Sequence, residues 1–263
     1  MGSATTQAVT ATTAALDAAP ALDLGVAREL FAAARVIGGS TQLSGALADS
    51  AATPEARANV VSAVFGSAFS PVTIGLITTA VQHRWSSATD LVDGIEEIAV
   101  RAAAKAAPDA DIEDELFEFS RTVAANPELE LALGSRMGDA TAKGELVSSL
   151  LSGRVSEAAE LVASSLVRQP RERRVRELLL RGMRLTAAQR GRVVATVSSA
   201  VPLTPAQEKR LAAALAAKYD SEVSINTMVD ASTIGGLRVQ VADDVIDGTV
   251  ATRLSELRQR LAG

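Results

Sequence analysis

Cysteine is absent from this chain of 263 residues, histidine occurs once, and there are one Trp, one Tyr and five Phe. Without thiols there can be no disulfide, Cys-ligated zinc, iron–sulfur cluster or thiol nucleophile, and His83 alone cannot build a His-rich metal site within one chain. Lysine is also scarce, 4 against 22 arginines, which with the alanine content points to GC-rich coding. No window offers the roughly 20 apolar residues of a membrane span. The N-terminus lacks the early basic residues and Leu-rich core of a secretory leader. The expectation is a soluble, intracellular protein.

What is present is alanine, 51 residues of it, within a hydrophobic fraction of 48%. Alanine is the best helix former and contributes little core volume, so the chain reads as mostly helix packed on small side chains. The net charge of −5 argues against coating nucleic acid, which needs a basic face and, for single strands, aromatic platforms. One stretch dissents: Arg168–Arg192 holds nine arginines against Glu172 and Glu177, or +7, leaving −12 for the remainder. Such a stretch suits either an acidic partner or a solvated helix face whose stems cover apolar surface.

Residues 1–20 are Ala/Thr-rich and nearly uncharged, a frayed lead-in with a helix around Thr10–Ala19. Val26, Leu30, Ala33, Ala34 and Ile37 share one helix face ended by Gly38-Gly39, and Leu43 and Leu47 start a short helix. Pro54 and Pro71 open two more, and Asp90 is expected to cap a fifth. The pattern then returns at an offset of 86: Glu29-Leu30-Phe31 aligns with Glu115-Leu116-Phe117, Arg35 with Arg121, Ala46-Leu47 with Ala132-Leu133, and Arg57 with Lys143. With one deletion Leu76 falls opposite Leu161. The reading is a tandem duplication of a helical module.

After Arg192 the character changes. Val193–Val197 reads as a strand, and Thr204-Pro205-Ala206-Gln207 is a helix start with N-cap, first-turn proline and capping-box partner in place. Glu222–Asn226 and Leu237–Val241 alternate as strands, and Val250, Leu254, Leu257 and Leu261 make an amphipathic terminal helix. The expected fold is mainly α with a small α+β C-terminal domain: a first helical module over 1–107, a second over 108–192, and a strand–helix–strand–strand–helix unit over 193–263.

Neither a phosphate-binding Gly-rich loop with Lys-Ser/Thr nor a dinucleotide fingerprint occurs. His83 precedes Arg84-Trp85 at an expected helix end, where it can cap carbonyls. The acids of 109–115 fall where a second-module helix begins, so the helix dipole accounts for them. Asp243-Asp244, Asp230 and Asp247 occupy turn positions. No catalytic, cofactor-binding or metal residues are assigned.

The C-terminal third carries a specific string. Pro202, Leu203, Thr204 and Gln207, then Val229 and Asp230, Ile234, Gly235 and Gly236, and finally Asp247 and Gly248 before a Leu-rich helix resemble the delta subunit of F-type ATP synthase, the oligomycin-sensitivity-conferring protein family. The helical modules look like that family's N-terminal bundle, although usual members carry one module and this chain two. The resemblance implies a non-catalytic stator: a peripheral-stalk subunit, without cofactor, that joins the alpha subunits of the catalytic head to the b-type stalk and resists rotor torque. It also implies a peripheral place on the cytoplasmic face of a bacterial membrane, reached only through the complex, with no nucleic-acid partner. In that family a groove between the first and fifth bundle helices receives the alpha-subunit helix, which here means the segment before Ala19 with Val72, Leu76, Ala80 and Val81; Ala159, Val162 and Leu166 could line an equivalent in the second copy. The signature residues themselves read as turn and cap formers. The alternative is a helical-repeat adaptor with an acidic or RNA partner.

Overall fold

The computed structural model describes residues 2–250 apart from 21, 136–137, 171–172, 231–232, 234 and 242–243, together with 252–254 and 258. The chain divides into two compact units, Met1–Thr186 and Ala187–Gly263.

The first unit is built on helices α1 (Ser3–Ala18), α2 (Leu24–Gly38), α3 (Thr41–Ala48), α4 (Pro54–Phe65), α5 (Pro71–Gln82), α6 (Ala88–Ala106), α7 (Ile112–Ala125), α8 (Pro127–Gly134), α9 (Ala140–Leu151), α10 (Glu157–Arg168) and α11 (Val175–Gln189). The Ala/Thr-rich lead-in is a helix over most of its length, more than the composition suggested. Its buried face is Thr5, Ala8, Thr12 and Leu16. Contacts with α6 and the residues just before it hold it: Thr5 bonds to Ser86 and Asp90 at 3.0 Å each, and Lys105 donates to the carbonyls of Leu16, Asp17 and Ala19 at 2.7–3.3 Å, answering orphan carbonyls at the helix end. The cap of α6 is Ser87; Asp90 is the first-turn acid whose amide it receives.

Helices α3, α4 and α5 recur as α8, α9 and α10 at the same offset of 86 at both ends. The burial pattern follows without a gap: Leu76, Ile77, Ala80 and Val81 of α5 answer Val162, Ala163, Leu166 and Val167 of α10, all buried. The deletion inferred from sequence is therefore misplaced; Leu76 stands opposite Val162, and one extra residue enters after α10, where α6 and α11 match at 87. Polar contacts repeat too. Arg57 donates to the Asp49 carbonyl at 3.0 Å and Lys143 to the Ser135 carbonyl, positions again 86 apart.

The same offset relates α1 to α6: Thr5, Ala8, Thr12 and Leu16 correspond to Leu91, Gly94, Ile98 and Ala102, every one buried. At 87, Leu91, Val92, Glu96, Ala99 and Val100 correspond to Leu178, Leu179, Met183, Thr186 and Ala187 of α11, also buried. Helix α6 is thus the last helix of one bundle and the first of the next. A surface helix buries one stripe; α6 buries twelve of its 19 residues, which is what service to two bundles requires. Gly94 is part of the fit, since a Cβ there would overlap the Trp85 ring.

In the second unit β1 (Arg192–Ser199), α12 (Pro205–Tyr219), β2 (Glu222–Val229), β3 (Leu237–Val241) and β4 (Asp244–Asp247) form a sheet ordered β2-β1-β3-β4. Strand β2 runs parallel to β1, joined by α12, whereas β3 and β4 pair antiparallel. The fourth strand exceeds the strand–helix–strand–strand–helix expectation; Val239↔Ile246 pairing supplies what local propensity lacked. Ala195, Val197, Val239 and Val241 pack with Leu215 in a small core. Val250 and Leu254 are helical, and Leu257 and Leu261 lie outside the described residues.

Candidate functional site

The signature residues of the second unit are gathered at its turns. Thr204 accepts from the Gln207 amide while the Gln207 side chain accepts from the Thr204 amide at 2.8 Å, a complete capping box with Pro205 in the first turn. Leu203 packs on the small core, and Pro202 is exposed. The Asp230 amide donates to Ser199 at 2.8 Å, ending the β1–β2 pairing. Gly235 and Gly236 hold φ of 62° and 84°, and a Cβ on Gly236 would strike the backbone of Gly248 and Thr249. Gly248 donates to Leu237 at 2.8 Å, and Val250 to Gly235 at 3.1 Å, so these glycines sit against each other at the root of the β3–β4 pair. The Asp247 carboxylate accepts from the Thr249 amide at 3.0 Å, and that bond with the Thr249 hydroxyl holds it below the usual aspartate range. Ile234 lies outside the described residues. Val229, the last residue of β2, is 53% exposed, and Met228 and Val201 are exposed as well, near the end of the β1–β2 pair where Ser199 faces Val229.

Of the expected groove residues on α5, only Val72 is half-buried; Leu76, Ala80 and Val81 lie in the core. The accessible residues of α5 are instead Val72, Ile74, Gly75, Thr78 and Thr79, on a helix that packs against α1, whose Val9 and Thr13 are half-buried. A Cβ on Gly75 would meet nothing within 4 Å. The corresponding face of the second copy is more buried, although Glu160 and Leu161, counterparts of Ile74 and Gly75, are half-buried. Ala158, Ser164 and Ser165 of α10, counterparts of Val72, Thr78 and Thr79, are buried, as are Ile95, Ala99 and Val100 of α6, counterparts of Val9, Thr13 and Ala14. Helix α2 lies along α6 and reaches α10, tied there by an Arg28–Glu157 ion pair. Ala159, Val162 and Leu166 are core residues of the second copy.

Four of the nine arginines in the arginine-rich stretch are answered by acids within the chain. Arg181 pairs with Glu96 at 3.0 Å and Glu97 at 3.6 Å. Arg173 pairs with Asp93, Arg176 with Glu130 and Arg192 with Glu222. The acidic surface that the +7 segment calls for is thus in good part that of α6. Sequence reasoning missed this, although an acidic Asp93-x-x-Glu96-Glu97 stripe in an otherwise apolar helix was the available signal.

His83 is exposed at the C-cap of α5. Among the described residues no group of three or more Asp, Glu or His could hold a metal ion, and no helix is long and apolar enough to cross a membrane.

The family model for the ATP synthase delta (OSCP) subunit matches residues 97–261, beginning inside α6 and spanning the second copy and the second unit. The ATP synthase subunit delta of Leifsonia xyli subsp. xyli is 44% identical over the full length of both chains. That of Streptomyces avermitilis is 42% identical over 90% of this chain and 88% of its own. That of Nocardia farcinica is 39% identical over 95% of this chain and 94% of its own, so these relatives match into the first copy as well.

Proposed function

The chain belongs to the ATP synthase delta (OSCP) subunit family, the peripheral-stalk component of that complex, and from this premise we propose that it is a non-catalytic linker whose first bundle grips the alpha subunits of the head and whose second unit holds the b-type stalk. The observation that carries the assignment of the head to the first bundle is the contrast between two equivalent faces. The α1–α5 face is accessible, while its α6–α10 counterpart is covered by α2. The former is the more accessible of the two, with Gly75 exposed where its counterpart Leu161 is half-buried. Its lining of Val9, Val72, Gly75 and Thr79 is apolar and small, and small residues let a partner backbone approach closely.

For the stalk, the exposed Val201, Met228 and Val229 are large apolar side chains near one end of the β1–β2 pair, and exposed apolar side chains are what a contact surface uses. A stator on the cytoplasmic face of the membrane follows from the same reading. It requires stiffness more than chemistry, which the shared α6 and its ion pairs supply.

The test is Gly75→Trp. The site is solvent-open, so the variant should keep the melting temperature while binding to the isolated catalytic head falls at least about tenfold, an energy of about 1.4 kcal/mol. Unchanged head binding by a folded Gly75→Trp chain would remove the α1–α5 assignment.

A further inference from the structure

Between α2, α9 and α10 lies an open cleft of about 300 Å³, lined among others by Arg28, Arg35, Ser148, Glu160, Ser165 and Arg168. Arg28 is engaged by Glu157. Arg35 and Arg168 differ from it: both are half-buried, and neither side chain has a hydrogen-bond or ion-pair partner among the described residues. The Nε of Arg168 is fully enclosed with no acceptor. Burial, and then the facing charge of Arg168, pull the Arg35 guanidinium below its usual value, so the two cations feel each other.

The repeat shows what has changed here. In the second copy Arg121, counterpart of Arg35, pairs with Glu118 at 3.0 Å. The residue corresponding to Glu118 is Ala32, so Arg35 has lost its local acid. Arg168 corresponds to Gln82, a neutral residue, so the second cation was gained on the opposite wall. Both arginines lie in the last turn of their helices, where the dipole favours a cation. That effect is diffuse and gives a guanidinium fork no acceptor. Two guanidiniums lining one cleft offer the forked donors that tetrahedral oxyanions select.

We propose that the α2–α10 seam is an oxyanion site, which takes an inorganic phosphate-class dianion between Arg35 and Arg168. The Ser148 and Ser165 hydroxyls stand ready as further donors, and no aromatic ring lines the cavity to hold a nucleotide base. The bound ion would relieve the Arg35–Arg168 repulsion and pin α2 against the second copy. The site thereby makes closure of the α6–α10 face responsive to anion concentration.

The experiment is titration of the full chain with orthophosphate, following both the 31P linewidth and the melting temperature, with sodium chloride and sodium acetate at matched ionic strength as controls. A saturable phosphate effect is expected, with no saturable effect from either control. Arg35→Gln and Arg168→Gln should each weaken it at least tenfold, and Glu160→Gln, which removes an anion from the lining, should tighten it severalfold. Because the linewidth reads binding to wild-type and Glu160→Gln chains alone, the outcome does not depend on the arginine variants folding. Absence of saturable phosphate binding to the wild-type chain, equal binding of acetate, or phosphate affinity unmoved by Glu160→Gln and by either folded arginine variant would overturn the site.

Discussion

A carboxylate from one helix that receives the capping serine of another is a small device with a pH signature. The Glu29 carboxylate accepts from the Ser70 amide at 2.9 Å, the Ser70 hydroxyl at 2.8 Å and the Thr73 hydroxyl at 2.5 Å, tying α2 to the start of α5. Burial works to raise its pKa, but the bonds from Thr73 and Ser70 together outweigh it and hold the carboxyl below the usual glutamate range. A lowered folded pKa stabilises above the unfolded value and is lost as pH falls through the folded one. Glu29→Ala should therefore cost about 1 kcal/mol at neutral pH, the low end for bonds to a charged group at a partly exposed site. The difference from wild type should shrink as pH drops below about 4.3, the ordinary glutamate value. Urea unfolding of both chains across that range measures it. Glu115 repeats the clamp on Ser156 at 2.7 and 2.5 Å, although Ala159 replaces the Thr73 donor, so the matched Glu-Leu-Phe triplets mark a contact as well as a common origin.

Among elements, α6 has the most to lose. Glu96 is 3% exposed and paired to Arg181, which is 15% exposed and also donates to the Asp93 carbonyl at 3.1 Å. Removing one partner of a buried pair costs about 3 kcal/mol when the other is left stranded; here Glu97 and the Asp93 carbonyl still face Arg181 once Glu96 is gone, so the loss should be smaller. Glu96→Ala should lower the denaturant midpoint, and adding Glu97→Ala, which removes the remaining acid beside Arg181, should lower it by more than Glu97→Ala does in the wild-type chain; strictly additive losses would contradict a shared ion-pair network. Most helix starts were legible because their chemistry is local: Ser or Thr caps before Pro54, Pro71 and Pro205 need no tertiary knowledge. The end of the repeat register and the dual role of α6 were not. Alanine-rich α1 has too weak a hydrophobic stripe to reveal its kinship with α6, and only burial of Thr5, Ala8, Thr12 and Leu16 exposes it. The accessible face of α5 was likewise misread, because periodicity finds the apolar stripe, and in a bundle that stripe is the core. Leu76, Ala80 and Val81 are there for packing.

For the whole molecule, two cores of unequal size imply two stabilities. The second unit relies on a small cluster around Ala195, Val197, Leu215, Val239 and Val241, and several of its larger apolar side chains remain exposed. Less apolar burial gives less resistance to unfolding. The aromatic scarcity noted at the outset becomes useful here, since the single Trp85 lies in the first unit and the single Tyr219 in the second. In guanidinium, the tyrosine signal should change before the tryptophan signal; coincident transitions would mean one cooperative unit.

A helix counted twice also sets an arithmetic of growth. Bundles that share their joining helix need five helices per copy and one to close, and two copies give the eleven of α1–α11. The relation is that of fence posts to panels. A further copy would add one 86-residue panel and no new end post, so α1 would stay the only opening helix however long the series became. The accessible face it forms with α5 would then remain single, and a chain extended this way would gain reach without gaining a second grip.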